Sequence, residues 1–150
     1  MKPYLVFTCI AAIVTVFGCR SKQPDLPLIG TWELISATTT VNDSTFSTFD
    51  SAHKMIKIIN PTHFAFLNHT TNREKDSSAT AFTAGGGTYT LADSVYTENL
   101  EYFSDKNWEN HQFRFVVKIV NDTLIQTGVE KLEKLGIDHV IVEKYKRVTQ

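Results

Sequence analysis

From Ile29 onward, apolar residues recur at every second position almost throughout, and no stretch holds the 3.6-residue spacing of a long amphipathic helix. Such alternation commits a chain to strands, because only an extended backbone sends successive side chains to opposite faces. It is clearest over Gln112–Val129. There the run Phe113, Phe115, Val117, Ile119 breaks at Asn121-Asp122 and resumes with Leu124 and Gln126. Asn and Asp tolerate the left-handed backbone of a two-residue hairpin loop. Closing the hairpin there puts Phe113, Phe115, Val117, Ile119, Leu124 and Gln126 on one face. Arg114, Val116, Lys118, Thr123, Ile125 and Thr127 take the other.

The same reading extends along the chain. Leu28–Thr38 reads as a first strand with Trp32, Leu34 and Ser36 on one face. Thr38–Ser51 is rich in Ser, Thr and Asp and reads as a loop or ragged edge, its Phe46 and Phe49 either folding back as a lid or packing on the rim. Lys54–Ile59 and His63–Asn68 pair through Asn60-Pro61-Thr62. A three-residue loop there sets Ile58 opposite Phe64 and Ile56 opposite Phe66, and turns Lys57 and Ala65 away. His69–Thr80 reads as a polar mobile loop, Ala81–Ala84 as a brief strand, and Gly85-Gly86-Gly87 as a break or bulge. Thr88–Ala92 and Val95–Phe103 turn at Asp93-Ser94, giving a face of Tyr89, Leu91, Tyr96, Glu98, Leu100 and Tyr102. In the polar connector Ser104–His111, Ser104 is placed to cap one helical turn. Glu130–Leu135 has the pattern of one or two helical turns stopped by Gly136. Asp138–Val148 is the last strand, with Tyr145 and Arg147 on one face. The sum is an all-β chain of eight to nine strands, predicted to close as an up-and-down antiparallel β-barrel.

The N-terminus follows other rules. Met1-Lys2 precedes an apolar run from Leu5 to Phe17, too short to span a bilayer comfortably, which ends in Gly18-Cys19 and turns polar at Arg20. This segment resembles the lipobox of bacterial lipoproteins. The resemblance implies removal of residues 1–18 as a signal peptide, a diacylglyceryl group on the Cys19 sulfur, and acylation (palmitate-type) of the new terminus. Residues 19–27 are then a lipidated tether stiffened by Pro24 and Pro27, and 28–150 the folded domain. Its partner is the membrane, reached through lipid, and its place the bacterial cell envelope, at the periplasmic face or outer membrane. With Cys9 removed and Cys19 acylated, no disulfide is available, and the domain rests on its core alone. A formal charge of −1 leaves no basic footprint for nucleic acid.

Candidate chemistry is sparse. No Gly-x-Ser-x-Gly or His-Glu-x-x-His motif is present. His63 and His69 share a strand but lie about 20 Å apart along it, so no metal centre and no cofactor are expected. Glu98 is the exception. The register sets this carboxylate on an apolar face beside Tyr89, and a buried charge is costly unless paired. Glu98, Tyr89, Tyr102 and Gln126 are therefore candidates to hold the polar end of a ligand, with Phe66 and Phe115 as wall. The alternative is a structural hydrogen bond from Tyr89 or Tyr102 to Glu98, or a register slip that leaves Glu98 in water.

Gly30-Thr31-Trp32 on the first strand matches the G-x-W signature of lipocalins, and Arg147 on the last suits the arginine that packs across that tryptophan. Together with LIGTWEL, YTENLEYFSD and VEKYKRV, the chain resembles the lipocalin-like domain lipoproteins of Bacteroidota. The resemblance implies a barrel anchored by Gly30, Trp32 and Arg147 that is not an enzyme. It also implies a small, mostly apolar ligand in the interior. The rival expectation is an interaction module of an envelope assembly, its barrel filled and its protein partner unknown.

Overall fold

The computed structural model describes residues 26–71 and 82–149. Nine strands follow one another: β1 Gly30–Val41, β2 Ser44–Ser47, β3 His53–Ile59, β4 His63–Thr70, β5 Phe82–Ala92, β6 Val95–Phe103, β7 His111–Val120, β8 Thr123–Leu132 and β9 Ile137–Arg147. Each of β3 to β8 pairs antiparallel with the next. β1 pairs with both β3 and β9, so eight strands close into a barrel, and β2 adds an extra strand beside the far half of β1. Eight strands enclose an interior just wide enough for side chains or one small ligand. The hairpins turn on residues with positive φ, as their sequences demand: Asn42 and Asp43, Asp93, and Asn121 and Asp122. The first of these makes a hairpin of part of Thr38–Ser51, where the sequence suggested a loop.

One end of the barrel is plugged. Trp32 is fully buried, and its indole Nε1 donates to the Leu28 carbonyl at 2.8 Å. Arg147 lies opposite it in the β1–β9 ladder, with its guanidinium carbon 4.0 Å from the indole centroid. The same guanidinium donates to the Ile29 and Pro27 carbonyls, tying the entering chain across the barrel base. Gly30 is needed there: its φ is +147°, and a Cβ would come within 2.6 Å of Arg147 Nη1. Above the plug pack Leu28, Ile59, Phe64, Tyr96, Val117, Leu124 and Tyr145.

Three departures from strict alternation decide which side chains enter the barrel. In the β3–β4 hairpin, the Asn60 side chain accepts from the amides of Thr62 and His63, and Asn60 N–H donates to the His63 carbonyl. Asn60 thus belongs to the ladder, and the loop has two residues rather than three. The register moves by one: Ile59 faces Phe64, and Lys57 faces Phe66. Lys57 therefore points inward and is 2% exposed, while Ile58 turns out. In β1 an extra residue, Ile35, shifts the pairing with β9 between Leu34 and Ser36. Beyond that bulge Ala37 and Thr39 are buried in place of Ser36. In β6 the extra residue is Glu101: Gly87 pairs with Leu100, but Gly86 pairs with Tyr102. Tyr102 accordingly leaves the inner face and is 67% exposed, while Phe103 turns in. The glycine triplet, expected as a break or bulge, is neither: β5 runs straight through it, and the bulge lies opposite, in β6.

The connectors also differ. Asp105, not Ser104, caps the 3-10 turn Lys106–Trp108, accepting from the Asn107 amide; the Ser104 hydroxyl is held by Ala84. β8 continues to Leu132, so only Glu133–Leu135 turn helically, stopped by Gly136 at φ +66°. Most of the predicted loop His69–Thr80, Ala81, and the signal and tether residues before Leu26 lie outside the described residues.

Candidate functional site

The inward side chains of β3, β6, β8 and β9 build a polar network inside the barrel. Lys57 Nζ donates to Glu98 Oε1 at 2.8 Å and to Gln126 Oε1 at 3.1 Å. All three residues are buried. The ammonium is also ringed by aromatic faces, 5.3 Å from Tyr145, 5.8 Å from Phe64 and 6.0 Å from Tyr96. Gln126 Nε2 donates at 3.4 Å to Glu143 Oε2, which also accepts from the Tyr145 hydroxyl at 2.6 Å. Burial raises the Glu143 carboxyl above the ordinary carboxylate value. The Lys57 charge and the Tyr145 hydrogen bond oppose the rise, and the Glu130 and Glu98 charges add to it. Burial, then the Glu143 charge, pushes the Tyr145 hydroxyl well above the usual tyrosine value, so it remains a donor throughout the working pH range.

Next to this network runs an aromatic panel. Phe66 and Phe103 lie 5.5 Å apart, Phe103 and Trp108 6.0 Å, Trp108 and Phe113 5.8 Å, and Phe113 and Phe115 6.5 Å. The rings and the network together line a cavity of about 210 Å³, with Lys57 beside Phe66 and Glu98 beside Phe113 in their ladders and Gln126, Glu143 and Tyr145 completing the polar part of the wall. Half-buried Met55, Trp108 and Glu130 border it toward the unplugged end. Met55 also borders a second hollow of about 300 Å³ under Phe49, shared with Leu34, His53, Asn68 and Thr83. The cavity of about 210 Å³ suits a guest smaller than those held by ordinary ligand pockets, which begin at roughly 300 Å³.

Of the residues singled out in the sequence, Glu98, Gln126, Phe66 and Phe115 meet in this cavity. Two do not. Tyr102 is on the outer wall because of the Glu101 bulge. Tyr89 sits at the plugged end, its ring 5.1 Å from Tyr96 and its hydroxyl donating to the Asn60 carbonyl at 2.8 Å. Glu98 has a structural partner, but it is Lys57 and neither expected tyrosine. Gly30, Trp32 and Arg147 form the plug, and Cys19 lies outside the described residues. Sequence reasoning missed Lys57, Glu143 and Trp108. Lys57 was lost to the one-residue register slip. Glu143 was legible: it shares the parity of Tyr145 and of Arg147, the residue expected to pack across Trp32.

A family model described as a domain of unknown function, DUF4488, matches residues 27–150. No curated protein and no solved structure matches the chain.

Proposed function

This chain belongs to the DUF4488 family, and from that premise we propose that it is a lipocalin-like carrier whose barrel binds one small amphiphilic molecule. The observation that carries the reading is a cavity lined by both kinds of wall, five aromatic rings and a charged, hydrogen-bonded network. A barrel built for stability alone gains nothing from such a network, because well-packed apolar residues of similar volume do as well or better. The polar half of the wall favours a guest with a polar head over the mostly apolar one expected from the sequence. The reading includes no catalytic step.

We further propose that Cys19 carries lipid and tethers the barrel to the envelope membrane. Support comes from the Gly18-Cys19 boundary and from where the chain enters the fold, at Leu28 beside the plug. A short tether entering there holds the plugged end to the bilayer and turns the mouth away from it.

Native mass spectrometry of the full chain, purified gently from its producing cell, tests the carrier reading. The expected result is a reproducible extra mass that disappears on unfolding. A bare mass, persisting after incubation with envelope lipid extract, overturns it in favour of an interaction module. The exposed outer-wall residues Phe82, Tyr102, Val116 and Val129 would then be the surface to examine. For the anchor, Cys19→Ser is expected to move the protein from the membrane to the soluble fraction. An unchanged distribution rejects lipidation.

A further inference from the structure

We infer that the guest is a small organic cation, an amine on an aromatic or short apolar body, with its ammonium on Glu143 and its body against Phe103, Trp108 and Phe113. This rests on the carrier reading above and narrows it to a ligand class.

The donors and acceptors of the interior are out of balance. Lys57 is fully engaged: Glu98 and Gln126 take two of its protons, and three aromatic faces surround the ammonium. The Gln126 amide and the Tyr145 hydroxyl both donate to Oε2 of Glu143. Its Oε1 accepts nothing from the described residues and is reachable by solvent along the cavity it lines. In the adjoining chamber the buried Asn68 Oδ1 also has no partner. The buried Tyr96 hydroxyl has no partner either, so among the described residues the interior leaves a donor as well as acceptors unmatched.

What the interior lacks is positive charge. The cavity wall holds Glu98, Glu130 and Glu143 against Lys57 alone, and Lys57 is matched by Glu98. Glu130 has His139 at 2.9 Å, which leaves Glu143 with no cationic side chain in contact. An anionic guest would meet these carboxylates at short range in a low dielectric, where like charges repel strongly. A neutral guest could fill the panel but would bring Glu143 no counter-charge, leaving burial to favour its protonated form. An ammonium gives Glu143 charge-assisted hydrogen bonds and places a cation among ring faces that attract it. Burial favours the protonated Glu143 carboxyl in the empty barrel, and an arriving cation favours its ionised form. The size agrees: a dry cavity of about 150 Å³ accepts benzene, so 210 Å³ admits one ring and a short aminoalkyl arm.

The test is calorimetric titration of the full-length chain with three probes of matched body: 2-phenylethylamine, 2-phenylethanol and 3-phenylpropionate. The amine is expected to bind about tenfold more tightly than the alcohol, the discrimination of one charge-assisted contact, with the carboxylate weakest. In Glu143→Gln the advantage of amine over alcohol should vanish, and in Glu143→Asp, which keeps the charge, part of it should remain. A carboxylate that binds as well as the amine overturns the cation assignment while leaving the carrier reading in place. So does a Glu143→Gln protein that keeps the preference. Binding of none of the three probes overturns the carrier reading, and the cation assignment with it.

Discussion

Lys57 and Glu98 show how much hangs on single side chains in this interior. Their ion pair at 2.8 Å is buried, so removing one group leaves the other charge without its partner in a largely desolvated site. Lys57→Met is therefore expected to cost about 3–5 kcal/mol, the usual penalty for stranding a buried charge. Adding Glu98→Leu should recover most of that loss; urea midpoints of the two variants measure it. A single variant that keeps the wild-type midpoint would mean that Glu98 needs no cation. Glu143 makes a different prediction. Burial raises its carboxyl above the ordinary value of 4.5, so near that pH the native protein holds a proton that the unfolded chain releases. The stability linked to this proton is complete below the ordinary carboxyl range and is lost as pH rises through the native value. Gln cannot titrate. Glu143→Gln should thus melt close to wild type at about pH 4 and above it at about pH 7.5. Equal differences at both pH values would show that the native and unfolded carboxyls titrate alike.

At the scale of strands, the bulges matter more than the regular ladders. The Glu101 bulge in β6 exchanges Tyr102 for Phe103 on the inner face, and so supplies the panel that Trp108 stacks on. Gly87 makes the bulge possible. A Cβ there would overlap the Asn99 carbonyl oxygen and come within 2.9 Å of the Glu101 amide nitrogen. Gly136 has open space around it and only a left-handed φ of +66° to satisfy. Gly87→Ala should consequently cost more than Gly136→Ala, whose loss is about 1 kcal/mol from backbone strain. Urea denaturation of both variants decides, and equal losses would show that the bulge adjusts freely. These strands also explain what could be read in advance. The β5–β6 and β7–β8 hairpins follow from Asp93-Ser94 and Asn121-Asp122, since a two-residue turn fixes register without help from elsewhere. Ile35 and Glu101 carry no such mark. A barrel must bend its strands to close, and where each bends depends on neighbours far away in sequence. Lys57 was hidden by a smaller cause, the Asn60 side chain accepting from the His63 amide and so lengthening the ladder by one pair.

Taken as a whole, the barrel consists of a plug and a hollow. Trp32 and Arg147 close one end, Lys57 stands beside Trp32 in the β1–β3 ladder, and Glu98, Gln126, Glu130 and Glu143 line the hollow with it. The plug was legible because Gly30, Trp32 and Arg147 belong to the first and last strands, which any closed barrel must bring together. The network was legible only in part, because it joins strands β3, β6, β8 and β9, and one slipped register removes its cation. This division sets stability against binding. If the network serves the guest, the fold should not need it. Replacing it together, by Lys57→Met, Glu98→Leu, Gln126→Leu and Glu143→Gln, leaves no unpaired charge in the interior and keeps an acceptor for the Tyr145 hydroxyl. That quadruple variant is expected to unfold at a urea midpoint equal to or above wild type, since apolar substitutes for a buried ion pair are often neutral or stabilising. It should also lose the preference for 2-phenylethylamine over 2-phenylethanol. A midpoint well below wild type would place the network among the elements that hold the barrel together. Its polar character would then be explained without a ligand.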